Sequence, residues 1–327
     1  MTSLPKNNPK VSIIIPLKEI NQNLKECIDS CLKLDYPNFE IIILPDKNSE
    51  DFKTSSEKIR VIETGNITPP KKRDFALSKT DADILAFIDD DAYPVKDWLN
   101  NALVHFKDEE VAAVCGPAVT PASDSLRQKA SGEVYESFLV SGMHALRYRT
   151  QKITLVNDYP SCNFLIRRSI FVDLGGFNTN FWPGEDTFLC AAITRKLNKK
   201  IIYDPGVLVY HHRRPLYIPH LKQVVSYALH RGYFVKRGLN PTFEITYFFP
   251  SFLLVGLILG FVLALFSLQL KIVYLASVAT YLLLVLIFSI SKDLRLILLK
   301  FLGIIMTHIA YGFFFLKGLF QTKLKEE

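Results

Sequence analysis

Three consecutive aspartates, Asp89 to Asp91, follow a short apolar run and are the strongest chemical signal in the sequence. A buried strand that ends in carboxylates is costly to fold unless a positive charge neutralises them. In an extended chain Asp89 and Asp91 lie on one face, which suits a hard divalent cation that leaves positions for phosphate oxygens. We therefore predict a Mg²⁺ or Mn²⁺ site. The alternative is an acidic turn that caps a helix starting near Pro94.

A second acidic pair, Glu185 and Asp186, follows Gly184 at the start of a helical pattern. The helix dipole favours the ionised form of a carboxylate there, and an ionised carboxylate that faces a hydroxyl can act as a general base. Taken alone, the pair is better explained as a plain helix cap. The residues before the pair contain a glycine turn and aromatic rings, and aromatic ring faces suit a sugar. Contacts with sugar or acceptor are predicted for Gly176, Phe177, Trp182 and Glu185.

The third group is the run His211-His212-Arg213-Arg214. An imidazole could complete a metal shell, and guanidinium groups pair well with phosphate. His211 follows a predicted strand, which favours it as a ligand of the predicted site. For Arg213 and Arg214, phosphate binding and contact with lipid headgroups remain equally good interpretations.

Strand and helix signals alternate through the first two thirds of the chain. Strands are predicted at 11–15, 39–44, 59–62, 84–88, 111–115, 164–167, 201–203 and 207–210, and helices at 24–34, 71–79, 98–106, 126–147, 169–174 and 187–196. This alternation indicates an α/β fold with a mostly parallel sheet, whose ligands bind beyond the carboxyl ends of the strands. Pro16, Asp46 and the three aspartates all follow such ends.

Composition changes near residue 245, where the 327-residue chain becomes almost continuously apolar. Just before this point, between His211 and Asn240, there are six Lys or Arg and no acidic residue, within a net charge of +7. Basic residues in this position are typical of the cytosolic flank of a membrane segment and argue against nucleic acid as a partner. The polar N-terminus lacks the apolar core of a signal peptide, and the five cysteines form no metal or disulfide pattern. A cytosolic catalytic domain is expected.

The apolar runs at 248–266 and 272–290 each approach the about 20 residues that cross a bilayer. The run at 294–320 is interrupted by Arg295, Lys300 and His308, so two or three spans are predicted. An apolar stripe from Leu221 to Leu229 indicates a helix in the membrane interface or one docked on the catalytic domain. The predicted organisation is a catalytic domain at 1–210, a basic linker with this helix at 211–244, and a membrane region at 245–327.

Together these segments resemble family 2 of the inverting glycosyltransferases, which have the GT-A fold. The resemblance covers roughly residues 10–232 and depends on the order of short motifs: Val11 to Pro16, Tyr36 to Ile42, Asp89 to Asp91 with Trp98-Leu99, Gly175 to Phe177, and Gly184 to Asp186. It departs from the family at Leu17 to Ile20 and at Pro45-Asp46, where the family often has Asn-Glu and a second aspartate.

The resemblance implies a role for each matching position. Donor nucleotide binding is implied for Pro16, Glu19, Asp46, Arg73, Asp89 and Asp90. It implies that Asp91 coordinates the metal, that His211 is a metal or phosphate ligand as in some relatives, and that Asp186 deprotonates the acceptor hydroxyl. Asp89 is predicted as a second metal ligand because it shares a face with Asp91. The Gln-x-x-Arg-Trp motif of processive synthases is absent from the sequence, so transfer of a single sugar is expected.

The predicted function is metal-dependent, inverting transfer of one hexose from a nucleotide-diphosphate sugar to a hydroxyl of a lipid-linked saccharide or glycolipid, as in cell-envelope polysaccharide assembly. The reaction would occur at the cytosolic membrane face. One alternative is a transferase that glycosylates polyprenyl monophosphate, whose acceptor is already an anion and needs no base. Two others are a membrane-tethered nucleotide-binding protein without turnover and a metal-dependent phosphohydrolase.

Overall fold

The computed structural model describes residues 8–47, 56–238 and 244–326. They form two compact units, each continuous in packing but not in sequence. The sheet unit contains the described residues up to 119 together with 149–212, and the helical unit contains 120–148 together with 213–325. The predicted catalytic domain at 1–210 therefore includes a segment, 120–148, that packs with the C-terminal helices.

The sheet unit is built on an eight-stranded sheet with the order β3-β2-β1-β4-β9-β6-β10-β8. Its strands are β1 (Val11–Pro16), β2 (Phe39–Leu44), β3 (Ile59–Val61), β4 (Ile84–Ile88), β6 (Val111–Cys115), β8 (Thr154–Leu155), β9 (Asn163–Arg167) and β10 (Lys200–Tyr203). The four strands from β3 to β4 run parallel, β6 and β10 run parallel, and β9 lies antiparallel between β4 and β6. The sheet is thus mixed but mostly parallel.

Continuous burial explains why these strands were recognisable in the sequence. β1, β4 and β6 are buried along their whole length, as expected of parallel strands covered on both faces. The helices of this unit are α1 (Gln22–Cys31), α2 (Pro69–Leu77), α3 (Trp98–Leu103), α6 (Arg168–Asp173) and α7 (Glu185–Ala191). α7 continues into a π-helical turn at Ala192–Lys196.

A second, three-stranded sheet has the order β5-β11-β7, formed by β5 (Ala92–Pro94), β11 (Val209–His211) and β7 (Ala118–Val119). β5 begins directly after Asp91, and its antiparallel register sets His211 opposite Ala92 and Tyr210 opposite Tyr93. This pairing brings His211 to Asp91, which lies 120 residues earlier in the chain.

Asn163 at the start of β9 holds two loops and one helix of the sheet unit together. Its buried amide donates to the carbonyls of Gly116 at 2.7 Å, Val207 at 2.7 Å and Pro117 at 3.3 Å, and its oxygen accepts from Trp98 Nε1 at 2.9 Å. These partners lie after β6, before β11 and on α3, so one side chain connects the segments around the second sheet.

Replacing Asn163 with alanine is expected to lower the free energy of unfolding by at least about 3 kcal/mol, since several buried polar groups lose their partners together. Urea unfolding followed by tryptophan fluorescence measures the change. Asn100, an exposed residue on α3 whose amide donates to the Asp35 carbonyl, is the control. Asn100→Ala should cost less than about 1 kcal/mol, and equal losses in the two variants would contradict the role given to Asn163.

The helical unit contains α4 (Leu126–Glu136), α5 (Phe138–Ser141), α8 (Ile218–Lys236), α9 (Phe249–Ala264), α10 (Leu268–Phe288) and α11 (Leu294–Phe320). The single helix predicted at 126–147 is broken, because Ser137 is extended and Gly142 has a φ of 53°. Residues 142–147 then form a 3₁₀ turn. Three helical segments, Ile245–Ala264, Leu268–Phe288 and Leu294–Phe320, are long and apolar enough to cross a membrane.

The apolar stripe of α8 packs along α11, a partner that the sequence did not indicate. Glycines permit the close approach: a Cβ on Gly318 would lie 2.3 Å from the Leu229 carbonyl, and one on Gly232 would lie 2.1 Å from the Phe315 carbonyl. Because an added Cβ would overlap a backbone carbonyl, a larger residue at either position would force the two helices apart.

The polar residues that interrupt the third apolar run are paired inside the helical unit. Lys300 Nζ lies 3.4 Å from Glu133 Oε2, and His308 Nε2 lies 2.9 Å from the Leu139 carbonyl oxygen. On α8, the buried His220 contacts Thr307 at 3.0 Å. α11 is therefore one continuous helix, and its buried polar side chains have partners in the same unit.

Candidate active site

Two of the three aspartates and one histidine converge beyond the end of β4. Asp89, Asp91 and His211 each offer one ligand atom, and these atoms lie within 4.8 Å of one another. Asp91 Oδ1 is 3.0 Å from His211 Nε2, and the Asp91 carbonyl accepts the backbone N–H of His212 at 2.9 Å. The second sheet fixes this geometry, because β5 follows Asp91 and β11 ends in His211.

Arg73 on α2 joins the metal side of the site to the second acidic pair. Its Nη2 donates to Asp89 Oδ1 at 2.7 Å, and its Nη1 lies 3.6 Å from Glu185 Oε1. The guanidinium is buried and lies 5.8 Å from the ring centroids of both Phe87 and Phe177. Burial raises the pKa of Asp89, and the positive charge of Arg73 opposes that effect.

Asp186 is at the N-terminus of α7, where the sequence placed it. Burial raises its pKa to about 6, whereas Arg73 and hydrogen bonds from Ser161 act in the opposite direction. Burial also raises the pKa of Glu185, and the charge of Asp186 adds to the effect. Within the described part of the chain, Asp186 Oδ1 and Glu185 Oε2 are buried and accept no hydrogen bond. One carboxylate oxygen of Asp186 is therefore buried without a hydrogen-bond partner among the described residues.

The end of β2 carries a feature that the sequence reading missed. Lys72 is buried at 2% exposure, and its Nζ donates to Asp46 Oδ1 at 2.5 Å, to the Leu17 carbonyl at 2.5 Å and to the Leu44 carbonyl at 3.0 Å. A lysine in a basic run such as Lys71-Lys72-Arg73 gives no sign that its ammonium is buried. The sequence offered one signal that Lys72 could be buried. It lies near the start of α2, and this helix comes after β1 and β2, whose ends Lys72 contacts.

Three other residues predicted to bind the donor nucleotide have different surroundings. Asp90 accepts from Asn21 Nδ2 at 2.6 Å, and Asn21 also caps the N-terminus of α1. Pro16 is buried as the last residue of β1. Glu19 is exposed, and its carbonyl accepts from Asn21 at 3.3 Å. Direct nucleotide contacts of these three residues stay a prediction.

The glycine turn before Asp186 has a packing function. Gly176 has a φ of 80°, and a Cβ there would lie 2.3 Å from Asp74 Oδ1. The same carboxylate accepts the Phe177 N–H at 2.8 Å. Phe177 is only 3% exposed and packs against Phe87, so its ring is not presented to a sugar as expected. Trp182, at 48% exposure, retains an accessible ring face.

Arg213 and Arg214 belong to the helical unit, whereas His211 and His212 belong to the sheet unit. Arg213 is buried: its Nε donates to Thr120 Oγ1 at 3.3 Å, and its guanidinium lies 5.1 Å from the ring centroid of Tyr148. Arg214 is exposed. The two neighbouring arginines, for which phosphate binding and contact with lipid headgroups were both considered, thus have different environments.

The chemistry of the Asp89, Asp91 and His211 donor set fits a divalent cation. Two carboxylates and one imidazole leave several coordination positions for other oxygen ligands. Mg²⁺ prefers ligand sets made entirely of oxygen, whereas Mn²⁺ accepts an imidazole more readily. Of the two cations expected from the sequence, the donor set favours Mn²⁺.

A mostly parallel mixed sheet with acidic ligands at its carboxyl edge is the GT-A arrangement of glycosyltransferases. Residues 12–175, half of the chain, match the family described as Glycosyl transferase family 2. The chain belongs to this family.

Known proteins resemble the chain at low identity. The pre-mycofactocin glycosyltransferase of Mycobacterium tuberculosis is 27% identical over 210 residues, which are 62% of this chain and 43% of that protein. The glucosyl-dolichyl phosphate glucuronosyltransferase of Haloferax volcanii is 23% identical over 218 residues, 62% of this chain and 69% of that protein. A mannosyltransferase from Pyrobaculum calidifontis, solved with GDP-Man and Mn²⁺, superposes with a TM-score of 0.66 at 18% identity, covering 98% of this chain and 89% of that one. The last likeness concerns the fold.

Proposed function

We propose that the protein transfers one sugar, with inversion, from a nucleotide-diphosphate sugar to a hydroxyl of a lipid-linked acceptor at the cytosolic face of a membrane. The observation that carries this proposal is the convergence of Asp89, Asp91 and His211 beyond β4. The relatives named as a pre-mycofactocin glycosyltransferase and a glucosyl-dolichyl phosphate glucuronosyltransferase support the class of reaction but leave the acceptor open.

Asp89, Asp91 and His211 would hold the divalent cation, which when bound neutralises charge on the departing nucleotide diphosphate. Arg73 keeps Asp89 in place through its 2.7 Å hydrogen bond. Because the guanidinium is buried between aromatic rings, it has little freedom to move, and the ligand carboxylate is oriented before the donor binds. Rigid ligands at a strand end suit a leaving group that must be stabilised in one position.

Asp186 would accept the proton of the acceptor hydroxyl as its oxygen attacks the anomeric carbon. Its position at a helix N-terminus and the nearby Arg73 favour the ionised form, whereas burial raises the pKa toward the operating pH, as a general base requires. In a single displacement the attacking oxygen and the leaving phosphate lie on opposite sides of the sugar, so the anomeric configuration inverts.

The three long apolar helices would cross the membrane, with the basic segment between His211 and Asn240 on the cytosolic side. An acceptor that is itself held in the lipid would then reach the enzyme by diffusion in two dimensions. The apolar helices and the family relationship together favour a lipid-linked acceptor over a water-borne one.

The test uses the full chain in nanodiscs. Their lipids come from a host that has no other transferase able to form the same product. A panel of labelled nucleotide sugars is supplied with Mn²⁺, with Mg²⁺ or with EDTA, and extracted lipids are analysed by mass spectrometry. We expect one donor to add a single sugar mass to a lipid only when the cation is present, with inverted configuration by NMR. Release of free sugar or sugar phosphate without a glycosylated product would refute the proposal.

The pH dependence follows from the raised pKa of Asp186, to about 6. The base acts in its ionised form, so activity should be full above this value and fall as pH decreases through it. We expect kcat/KM to drop about tenfold per pH unit below about 6, measured between pH 5 and 8 at saturating Mn²⁺. A midpoint that moves with Mn²⁺ concentration would assign the titration to the metal ligands instead, and a flat profile would contradict the base.

A further inference from the structure

Lys72 is the feature of the sheet unit that the proposed reaction does not use. Its ammonium group has three N–H donors, and three acceptors surround it: the carbonyls of Leu17 and Leu44 and Asp46 Oδ1. Every donor is therefore occupied, and the side chain is 2% exposed. Lys72 has no donor left for a phosphate or a sugar.

A buried ammonium is costly to desolvate unless it is paired and hydrogen-bonded. Lys72 satisfies both conditions by tying together the ends of two neighbouring parallel strands. The backbone supports the same link, since Leu17 N–H donates to the Leu44 carbonyl at 3.2 Å and Asp46 N–H donates to the Lys18 carbonyl at 3.0 Å. The result is a rigid rim at the carboxyl edge of β1 and β2, where ligands of parallel sheets bind.

The two oxygens of Asp46 have different situations. Oδ1 is held by Lys72 at 2.5 Å, and no hydrogen bond within the described residues occupies Oδ2. The Asp46 side chain is 15% exposed, and Oδ2 is the carboxylate oxygen that Lys72 does not hold. A fixed carboxylate oxygen recognises an N–H group, such as the ring N–H of uracil, thymine or guanine.

We propose that Lys72 is a positioning residue that fixes Asp46 as the acceptor for the nucleobase of the donor. This inference rests on the proposed function, in which a nucleotide-diphosphate sugar is the donor. Lys72 acts through Asp46 and does not contact the ligand. Lys72 thereby affects how tightly the nucleobase of the donor binds. The cation and Asp186 act on the diphosphate and on the acceptor hydroxyl and do not contact the base.

The test compares Lys72→Met with Lys71→Met in the full chain. Lys71 is the matched control because it precedes Lys72 on α2, carries the same charge and is exposed. Calorimetry in the presence of Mn²⁺ first identifies the tightest ligand among UDP, dTDP, GDP, CDP and ADP. Lys72→Met should weaken that nucleotide about 10- to 100-fold, as expected for loss of an oriented charged acceptor, whereas Lys71→Met should stay within about twofold.

Inorganic pyrophosphate with Mn²⁺ separates positioning of the base from general damage to the site. It uses the cation and the phosphate contacts but has no base, so Lys72→Met should bind it like the wild type. In steady-state assays the donor KM should rise by the same factor, with kcat at saturating donor within about threefold. Loss of pyrophosphate binding, or an unchanged nucleotide affinity in a variant that only melts earlier, would overturn the inference.

Lys72→Met leaves the Asp46 carboxylate without its partner and could impair folding, so a second variant is needed. K72M/D46N removes both charges, and its nucleotide affinity should equal that of Asp46→Asn alone, because Lys72 acts through Asp46. Additive losses would refute the mechanism. These binding measurements do not require turnover, so a wild-type chain that binds a nucleotide but transfers no sugar would defeat the proposed function and leave this inference standing.

Discussion

Asp186→Asn is expected to lower kcat for sugar transfer by about 10²- to 10⁴-fold, the usual contribution of a general base. The amide is almost the same size as the carboxylate and keeps the contact with Ser161, but it cannot accept the hydroxyl proton. Binding of the nucleotide should change by less than about threefold, since the proposed donor contacts are on other strand ends. Single-turnover kinetics and calorimetry measure the two quantities separately.

The control for Asp186→Asn is Asp173→Asn, which makes the same chemical change at an exposed position at the end of α6. It should retain full activity. If Asp186→Asn turned over at the wild-type rate, the base assignment would be removed. The alternative of a phosphate acceptor, which is already an anion and needs no base, would then become the better account.

Asp91→Ala should abolish transfer and remove the response to Mn²⁺ at the same time. The substitution deletes one of two carboxylates and leaves His211 without its 3.0 Å partner, so the remaining donor set holds the cation weakly. We expect at least about a hundredfold loss in metal affinity, at the upper end of the 10- to 100-fold effects known for groups that only support a ligand. Electron paramagnetic resonance of free Mn²⁺ measures it directly.

Asp97→Ala provides the comparison for the metal prediction, because Asp97 is an exposed residue six positions along the chain, just before α3. His211→Ala should also weaken Mn²⁺ binding, and by less than Asp91→Ala since it removes no charge. Stimulation by Mn²⁺ that survives in Asp91→Ala would show that the cation binds elsewhere. The convergence beyond β4 would then need another explanation.

The sequence predicted best those strands that a short run of neighbouring residues is enough to identify. The strands at 39–44, 84–88 and 111–115 have the predicted bounds, because buried parallel strands are continuous apolar runs with a polar or turn residue after them. The aspartates at the end of β4 could be found for the same reason. His211 was expected near them because it follows a predicted strand, and it is the last residue of β11.

The remaining features depend on contacts that no local pattern encodes. β5 and β7 have three and two residues, too few for a periodic signal, and yet β5 sets the register that brings His211 to Asp91. Lys72 lies in a run of basic residues that looks solvated. Phe177 was read as a sugar platform from its residue type, whereas its burial depends on the packing of Phe87 and Phe171.

The pairing of Lys300 with Glu133 and of His308 with the Leu139 carbonyl limits which segments of this protein can be exchanged. The last helix is not an interchangeable tether, because its polar groups are complementary to a segment inserted more than 150 residues earlier in the chain. Exchanging residues 245–327 for an unrelated hydrophobic hairpin would leave Glu133 and the Leu139 carbonyl without these partners. In a chimeric protein, residues 120–148 and the C-terminal helices should therefore be transferred together.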